Sequence, residues 1–160
     1  KQKFSNLMAY VRSKAMLLTR FRGQLPIFAR SPQASWNPDF PIEAKVAILS
    51  QSLPAMSQLA NAVSGIENTT TLTSIESAAF KAFIPQLISD MQLMLVVNTK
   101  LVVAVSRDAS APSSICDSLL SEYQDLREKL LKLRVTSRGS LELVFRPSDL
   151  PVVSKVVLGR

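Results

Sequence analysis

The chain has 160 residues, of which 47% are apolar, with 19 basic residues, 12 acidic residues, one cysteine and no histidine. This length fits one domain with its own core, and the apolar content excludes a disordered chain. Without histidine, the usual Ser-His-Asp and Cys-His catalytic groups and ordinary zinc sites are excluded. We therefore expect no enzyme, no metal site and no cofactor, and the single cysteine favours a reducing, cytoplasmic location.

Positive charge is concentrated near the N-terminus. Seven basic residues precede the first acidic residue, Asp39, and the 12 basic residues after it balance the 12 acidic ones. Within the first predicted helix, residues 3–23, four of them form a candidate anion-binding surface: Arg12, Lys14, Arg20 and Arg22. Such a surface fits an anionic membrane, an acidic protein or, less well, nucleic acid, because no nucleic-acid-binding motif accompanies it. The alternative is a solvated helix face.

Prolines mark the next connection and the second helix. Pro32, Pro38 and Pro41 predict an extended Pro-rich loop over residues 30–41. A second helix over residues 41–64 follows, since Pro41 suits a first helical turn and Gly65 suits the position after a helix. Its apolar stripe has helical spacing and consists of Ile42, Val46, Leu49, Leu53, Met56, Ala60 and Val63. Proline inside this helix and the next, at positions 54 and 85, predicts a kink or a break.

The third predicted helix, residues 74–106, has the longest apolar stripe. Thr73 or Ser74 suits its N-cap, with Glu76 in the first turn. The stripe contains Ile84, Leu87, Met91, Met94, Leu101 and Val105, with Asn98 at the one missing position. Asn98 must find a hydrogen-bond partner or reach water, so it either fixes the register between helices or lies in a wet site. The segment is long enough to cross a bilayer, but its charged residues favour a buried core helix.

This third helix is apolar on nearly every side. A candidate partner surface lies beside the main stripe and contains Ile88, Leu95, Val96, Val102 and Val103. In a bundle of four helices, the other three do not cover every side of one helix. Either the tail adds a further element to the bundle, or this surface binds a protein partner or a second copy of the chain.

A fourth helix is predicted over residues 113–135, followed by an irregular tail over residues 139–160. Ser113 or Ser114 suits its N-cap, and its apolar stripe contains Cys116, Leu119, Tyr123, Leu126, Leu130 and Leu133. The short connection before it predicts that the third and fourth helices are antiparallel. In the tail, Leu141, Leu143 and Phe145 alternate like a strand, but we expect no strand to pair with it. A final helical turn is predicted near Ser148.

The order of features in the first two thirds of the chain matches a known pattern. A basic helix leads through Ser31-Pro32 and Trp36-Asn37-Pro38-Asp39-Phe40-Pro41 into a helix that opens with Ile42-Glu43. Over residues 5–105 this resembles the cytosolic helical region that follows the membrane segments of fusaric-acid-resistance or aromatic-acid-exporter-like proteins. The resemblance implies a cytosolic part of a membrane protein, with its basic start just inside the membrane.

These patterns together predict an all-α fold. We expect a single domain over residues 1–160, an antiparallel bundle of four or five helices with a Pro-rich loop after the first helix and an irregular C-terminal tail. The leading functional hypothesis is a non-catalytic scaffold or protein-protein interaction domain of a larger, cytoplasmic or membrane-associated assembly. The alternatives are the cytosolic domain of an exporter-like membrane protein and a basic module that binds nucleic acid or anionic lipid.

Overall fold

The computed structural model describes residues 2–24, 41–67, 73–137 and 140–150. These ranges contain the helices α1 (Gln2–Gln24), α2 (Ile42–Glu67), α3 (Ser74–Arg107) and α4 (Ser113–Lys132). Two antiparallel strands, β1 (Arg134–Ser137) and β2 (Ser140–Leu143), and a 3-10 turn at Pro147–Asp149 follow. The predicted all-α bundle is confirmed. The Pro-rich loop before Pro41 lies outside the described residues.

Helices α2 and α3 form the centre of the bundle, because each of them contacts the other three helices. Leu7 lies beside Gly65, so the start of α1 meets the end of α2. Thr99 contacts Tyr123, and the later residue Val105 contacts the earlier residue Cys116. α1 is therefore antiparallel to α2, and α3 is antiparallel to α4, as the short connection between α3 and α4 predicts.

The predicted apolar stripes form the core. The middle residues of each stripe have almost no exposed surface: Leu49, Leu53 and Met56 of α2, Leu87, Met91 and Met94 of α3, and Tyr123, Leu126 and Leu130 of α4. Burial of aliphatic and aromatic side chains at this spacing is the main favourable term for a helical bundle. The helical period of the sequence therefore identifies the buried face of all three helices correctly.

Both internal prolines lie within continuous helices, Pro54 in α2 and Pro85 in α3. The predicted break is therefore wrong at both positions. Each proline removes one backbone hydrogen bond, to the carbonyl group of Ser50 or of Lys81. Those two residues are exposed on the outside of the bundle, where water replaces a lost donor, and the packed stripe on the other side keeps the helix continuous.

Two of three helix ends differ from the predictions. α2 continues to Glu67, so Gly65 is a residue of the helix instead of its C-cap. The capping box of α3 is confirmed: the Glu76 amide donates to the Thr73 hydroxyl at 3.1 Å, and the Thr73 amide donates to the Glu76 carboxylate at 3.0 Å. At α4 the predicted serine cap is wrong, because Pro112 occupies the N-cap and no side chain caps the helix.

The C-terminal end of α4 holds the largest correction. The helix ends at Lys132 instead of residue 135, because the next residues form β1 and pair with β2. Arg134 lies opposite Leu143, and Ser137 lies opposite Ser140. The prediction that the Leu141 strand has nothing to pair with is therefore wrong. β-branched Val135 and Thr136 are the signals for the missing strand.

Candidate interaction surfaces

A groove lies between α3 and the tail. It has a volume of about 590 Å³. We call it the α3 groove, and its lining residues are Gln92, Leu95, Val96, Thr99 and Lys100 of α3 with Phe145 and Ser148 of the tail. Apolar side chains from both sides form its floor, and amide, ammonium and hydroxyl groups lie among them.

The predicted partner surface is only partly brought together. Leu95 and Val96 both line the α3 groove, and Val96 is half-buried. Ile88 and Val103 are half-buried and pack against the core. Val102 is fully buried inside the bundle, so this part of the prediction is wrong and its side chain belongs to the core. The helical period alone does not distinguish the buried from the accessible residues of this set, because the accessible surface of α3 depends on where the neighbouring elements end.

The tail forms the second wall of the α3 groove. Phe145 and Leu150 are both completely buried. The Arg127 Nε atom donates a hydrogen bond of 2.6 Å to the Leu150 carbonyl oxygen, and the Val144 amide donates to the Leu133 carbonyl oxygen at 3.1 Å. The further element beside the apolar α3 is thus the segment that contains Phe145 and the predicted final turn, which is 3-10. Sequence analysis missed Phe145 and Ser148 as groove residues.

A polar contact lies at the back of the groove. The Thr99 hydroxyl donates to the Leu95 carbonyl oxygen at 2.8 Å, which leaves its oxygen to accept from the Tyr123 hydroxyl at 3.0 Å. Burial raises the pKa of the Tyr123 phenol above its ordinary value, and the bond to Thr99 and the charge of Arg127 oppose that shift. This tyrosine is therefore neutral at physiological pH and holds α4 against α3.

The four predicted anion-binding residues do not share one surface. Arg12 and Arg20 line a shallow depression on the outside of α1 together with Met16. Lys14 lies on another side of the helix, where its Nζ atom is 5.3 Å from the centre of the Tyr10 ring. The guanidinium group of Arg12 also lies 6.0 Å from the centre of the Phe83 ring. Arg22 belongs to α1, but its side chain lies outside the described residues.

Asn98 is buried and hydrogen-bonded, as the prediction of a residue that fixes the helix register requires. Its side-chain oxygen accepts a hydrogen bond of 2.8 Å from the Ser52 hydroxyl, and its amide nitrogen lies 3.1 Å from the Met56 sulfur. All three groups are buried between α2 and α3. A wet site at the helix end is therefore wrong, and the contact is placed where it fixes the register of the two central helices.

No described residues form a group of three or more metal-binding side chains. Cys116 is buried and its sulfur lies 3.7 Å from the Val105 carbonyl oxygen. By length and composition alone, α3 is the one described helix that could cross a membrane, and 44% of its most apolar window is buried. The cytoplasmic location stays a prediction.

No protein-family model, curated protein or solved structure matches this chain. The resemblance of residues 5–105 to exporter-like proteins accordingly stays a prediction. The functional argument therefore depends on the surfaces that the described residues form.

Proposed function

We propose that this chain is a non-catalytic protein-interaction domain that binds an apolar helix of a partner protein, or of a second copy, in the α3 groove. The observation that carries the proposal is the groove itself. It combines the apolar floor of Leu95, Val96 and Phe145 with polar groups from Gln92, Lys100 and Ser148. An apolar centre with a polar rim is the usual composition of a protein interface.

The size of the groove supports a protein anchor. Cavities of about 300 to 1,000 Å³ bury most of a ligand's surface, and this one measures about 590 Å³. Interfaces take most of their binding energy from a few apolar or aromatic side chains that fill such pockets. One or two anchors spaced three or four residues apart on a partner helix would contact Val96 together with Ser148, the exposed tail residue of the groove.

The chemistry of the chain supports a binding role over catalysis. It has no histidine, and its one thiol is buried against a backbone carbonyl. Residues that activate a nucleophile or move a proton have to meet in a cleft, and the described residues that line the α3 groove include no carboxylate, thiol or imidazole group. A scaffold or adaptor in a larger assembly fits these properties.

Photo-crosslinking at two positions of α3 tests this proposal. The photoreactive amino acid p-benzoylphenylalanine replaces either Val96, on the groove floor, or Ser89, which is exposed on the same helix outside the groove. We expect a discrete crosslinked product from position 96 and only background from position 89. The mass of the product distinguishes a dimer from a heterocomplex.

Mutagenesis and light scattering complete the test. Val96→Glu places a charge on the groove floor and should weaken association at least about tenfold, because an unpaired carboxylate is costly in an apolar contact. Ser89→Glu makes the same charge change outside the groove and should leave association unchanged. Equal crosslinking at both positions, or equal effects of the two glutamates, contradicts the proposal.

A further inference from the structure

The outside of α1 forms a surface that the α3 groove does not explain. We define the α1 outer face by the six residues that line its depression: Ala9, Arg12, Ser13, Met16, Leu17 and Arg20. Met16 lies at the centre of this face and is 70% exposed. Arg12 and Arg20 stand four residues before and after it, which is about one helical turn in each direction.

Charge on this helix has one sign. The 23 residues of α1 contain no aspartate or glutamate, so no carboxylate within the helix neutralises Arg12 or Arg20. Both arginines are exposed. On another side of the helix, Lys14 lies over the ring of Tyr10, which is itself 42% exposed. Exposed apolar, aromatic and cationic side chains thus occur together on a helix without acidic residues.

This combination fits a membrane surface better than nucleic acid. A phosphate backbone attracts arginine but provides no apolar environment for the Met16 side chain. Stacking on bases requires aromatic rings, and methionine occupies the centre of the face. At an anionic bilayer, the guanidinium groups contact lipid phosphates while methionine and leucine enter the headgroup and acyl boundary.

We infer that α1 is a peripheral membrane-binding helix, whose outer face lies on an anionic lipid surface with Met16 inserted between Arg12 and Arg20. The contact is reversible. A single exposed methionine and two cations provide far less binding energy than a spanning helix. This inference is independent of the α3 groove.

Vesicle sedimentation of the whole chain tests the inference. Vesicles of phosphatidylcholine with 30% phosphatidylserine should bind the protein, vesicles of phosphatidylcholine alone should bind it weakly, and added salt should release it. The double variant Arg12→Gln with Arg20→Gln should bind about 25-fold more weakly, since each basic residue near an anionic bilayer contributes about fivefold. Met16→Ser should weaken binding about three- to tenfold through lost apolar contact.

A matched variant controls for net charge. Arg107→Gln with Arg134→Gln removes the same two charges from exposed positions outside α1 and should change binding by less than about threefold. Thermal melts confirm that all variants fold. The inference is overturned if the control weakens binding as much as the Arg12 and Arg20 variant, if Met16→Ser has no effect, or if the chain binds duplex DNA but not anionic vesicles.

Discussion

Two buried serines differ in their hydrogen bonding. Ser52 of α2 donates to the Asn98 side chain, whereas the Ser106 hydroxyl oxygen in α3 has no hydrogen-bond partner among the described residues. Ser106 is only 1% exposed. Burying a hydroxyl group without a hydrogen-bond partner costs free energy. Removing a hydroxyl group that is hydrogen-bonded leaves the other group of the pair without a partner. The same substitution should therefore have opposite effects at the two positions.

We predict that Ser52→Ala lowers the free energy of unfolding by about 1 to 3 kcal/mol, because the Asn98 oxygen loses its donor inside the core. Ser106→Ala should leave stability unchanged or raise it by about 1 kcal/mol, since alanine also has the higher helix propensity. Urea denaturation of both variants measures these changes. Ser50→Ala, at an exposed position of α2, controls for propensity alone. Equal losses at Ser52 and Ser106 would refute the assignment.

At the residue scale, the sequence predicted that Asn98 needs a partner but did not identify it. The helical period places Asn98 on the buried stripe of α3. Ser52, however, is far from Asn98 in the chain, and the two side chains meet only when α2 and α3 pack in their final register. A serine within a helix is common on exposed faces, so Ser52 carries no local signal of its role.

The helix ends show which local signals are reliable. Thr73 and Glu76 bind each other's backbone amides at the start of α3, as the spacing of three residues predicts. At α4 the serines follow Pro112, whose fixed backbone angle suits the residue before a helix, and Ser113 becomes the first helical residue. A serine one position away from the cap cannot reach the free amides in the same way.

We predict that Thr73→Ala lowers the free energy of unfolding by about 1 kcal/mol, within a range of about 0.5 to 2 kcal/mol, because one amide of the first turn of α3 loses its acceptor. Ser113→Ala should change it by less than about 0.5 kcal/mol, since this side chain caps nothing. Thermal or urea denaturation compares the two variants directly. A larger loss at Ser113 would show that α4 begins at a different residue.

At the element scale, local sequence signals were not sufficient to predict the pairing of β1 with β2. The alternation of Leu141, Leu143 and Phe145 is typical of a strand, but without a partner strand it predicts only an irregular tail, whereas residues 140–143 form β2. Val135 falls in the predicted fourth helix because Leu133 continues the apolar stripe of that helix. Helical and strand patterns overlap in short segments. The pairing of Arg134 with Leu143 ends the helix, and no periodicity in the helix itself contains that information.

For the molecule as a whole, the described part of the tail, residues 140–150, is part of the bundle. Phe145 has 0% exposed surface, whereas Leu143, two residues earlier, is 53% exposed. Of the groove residues of α3, Leu95 and Val96 follow from the apolar circumference of that helix, whereas Gln92, Thr99 and Lys100 do not. The wall formed by Phe145 and Ser148 does not follow from it either, because this wall depends on a chain reversal after α4.

We predict that Phe145→Ala lowers the free energy of unfolding by about 3 to 5 kcal/mol, since it removes a fully buried aromatic ring and leaves a cavity. Leu143→Ala, the matched control in the same segment, should cost less than about 0.5 kcal/mol because its side chain is mostly in water. Denaturation monitored by circular dichroism provides both values. If Phe145→Ala were as mild as the control, the tail would not contribute to the core.

A groove with one wall on a helix and the other on the chain's returning tail has a thermodynamic consequence. Any partner that contacts both Val96 and Ser148 binds only the docked arrangement, which the Arg127 bond to the Leu150 carbonyl oxygen helps to hold. The two equilibria are thermodynamically linked. A partner bound in the groove stabilises the docked tail, and the docked tail strengthens partner binding by the same free energy. Arg127, which does not line the groove, thereby modulates affinity at a distance through the population of the docked tail.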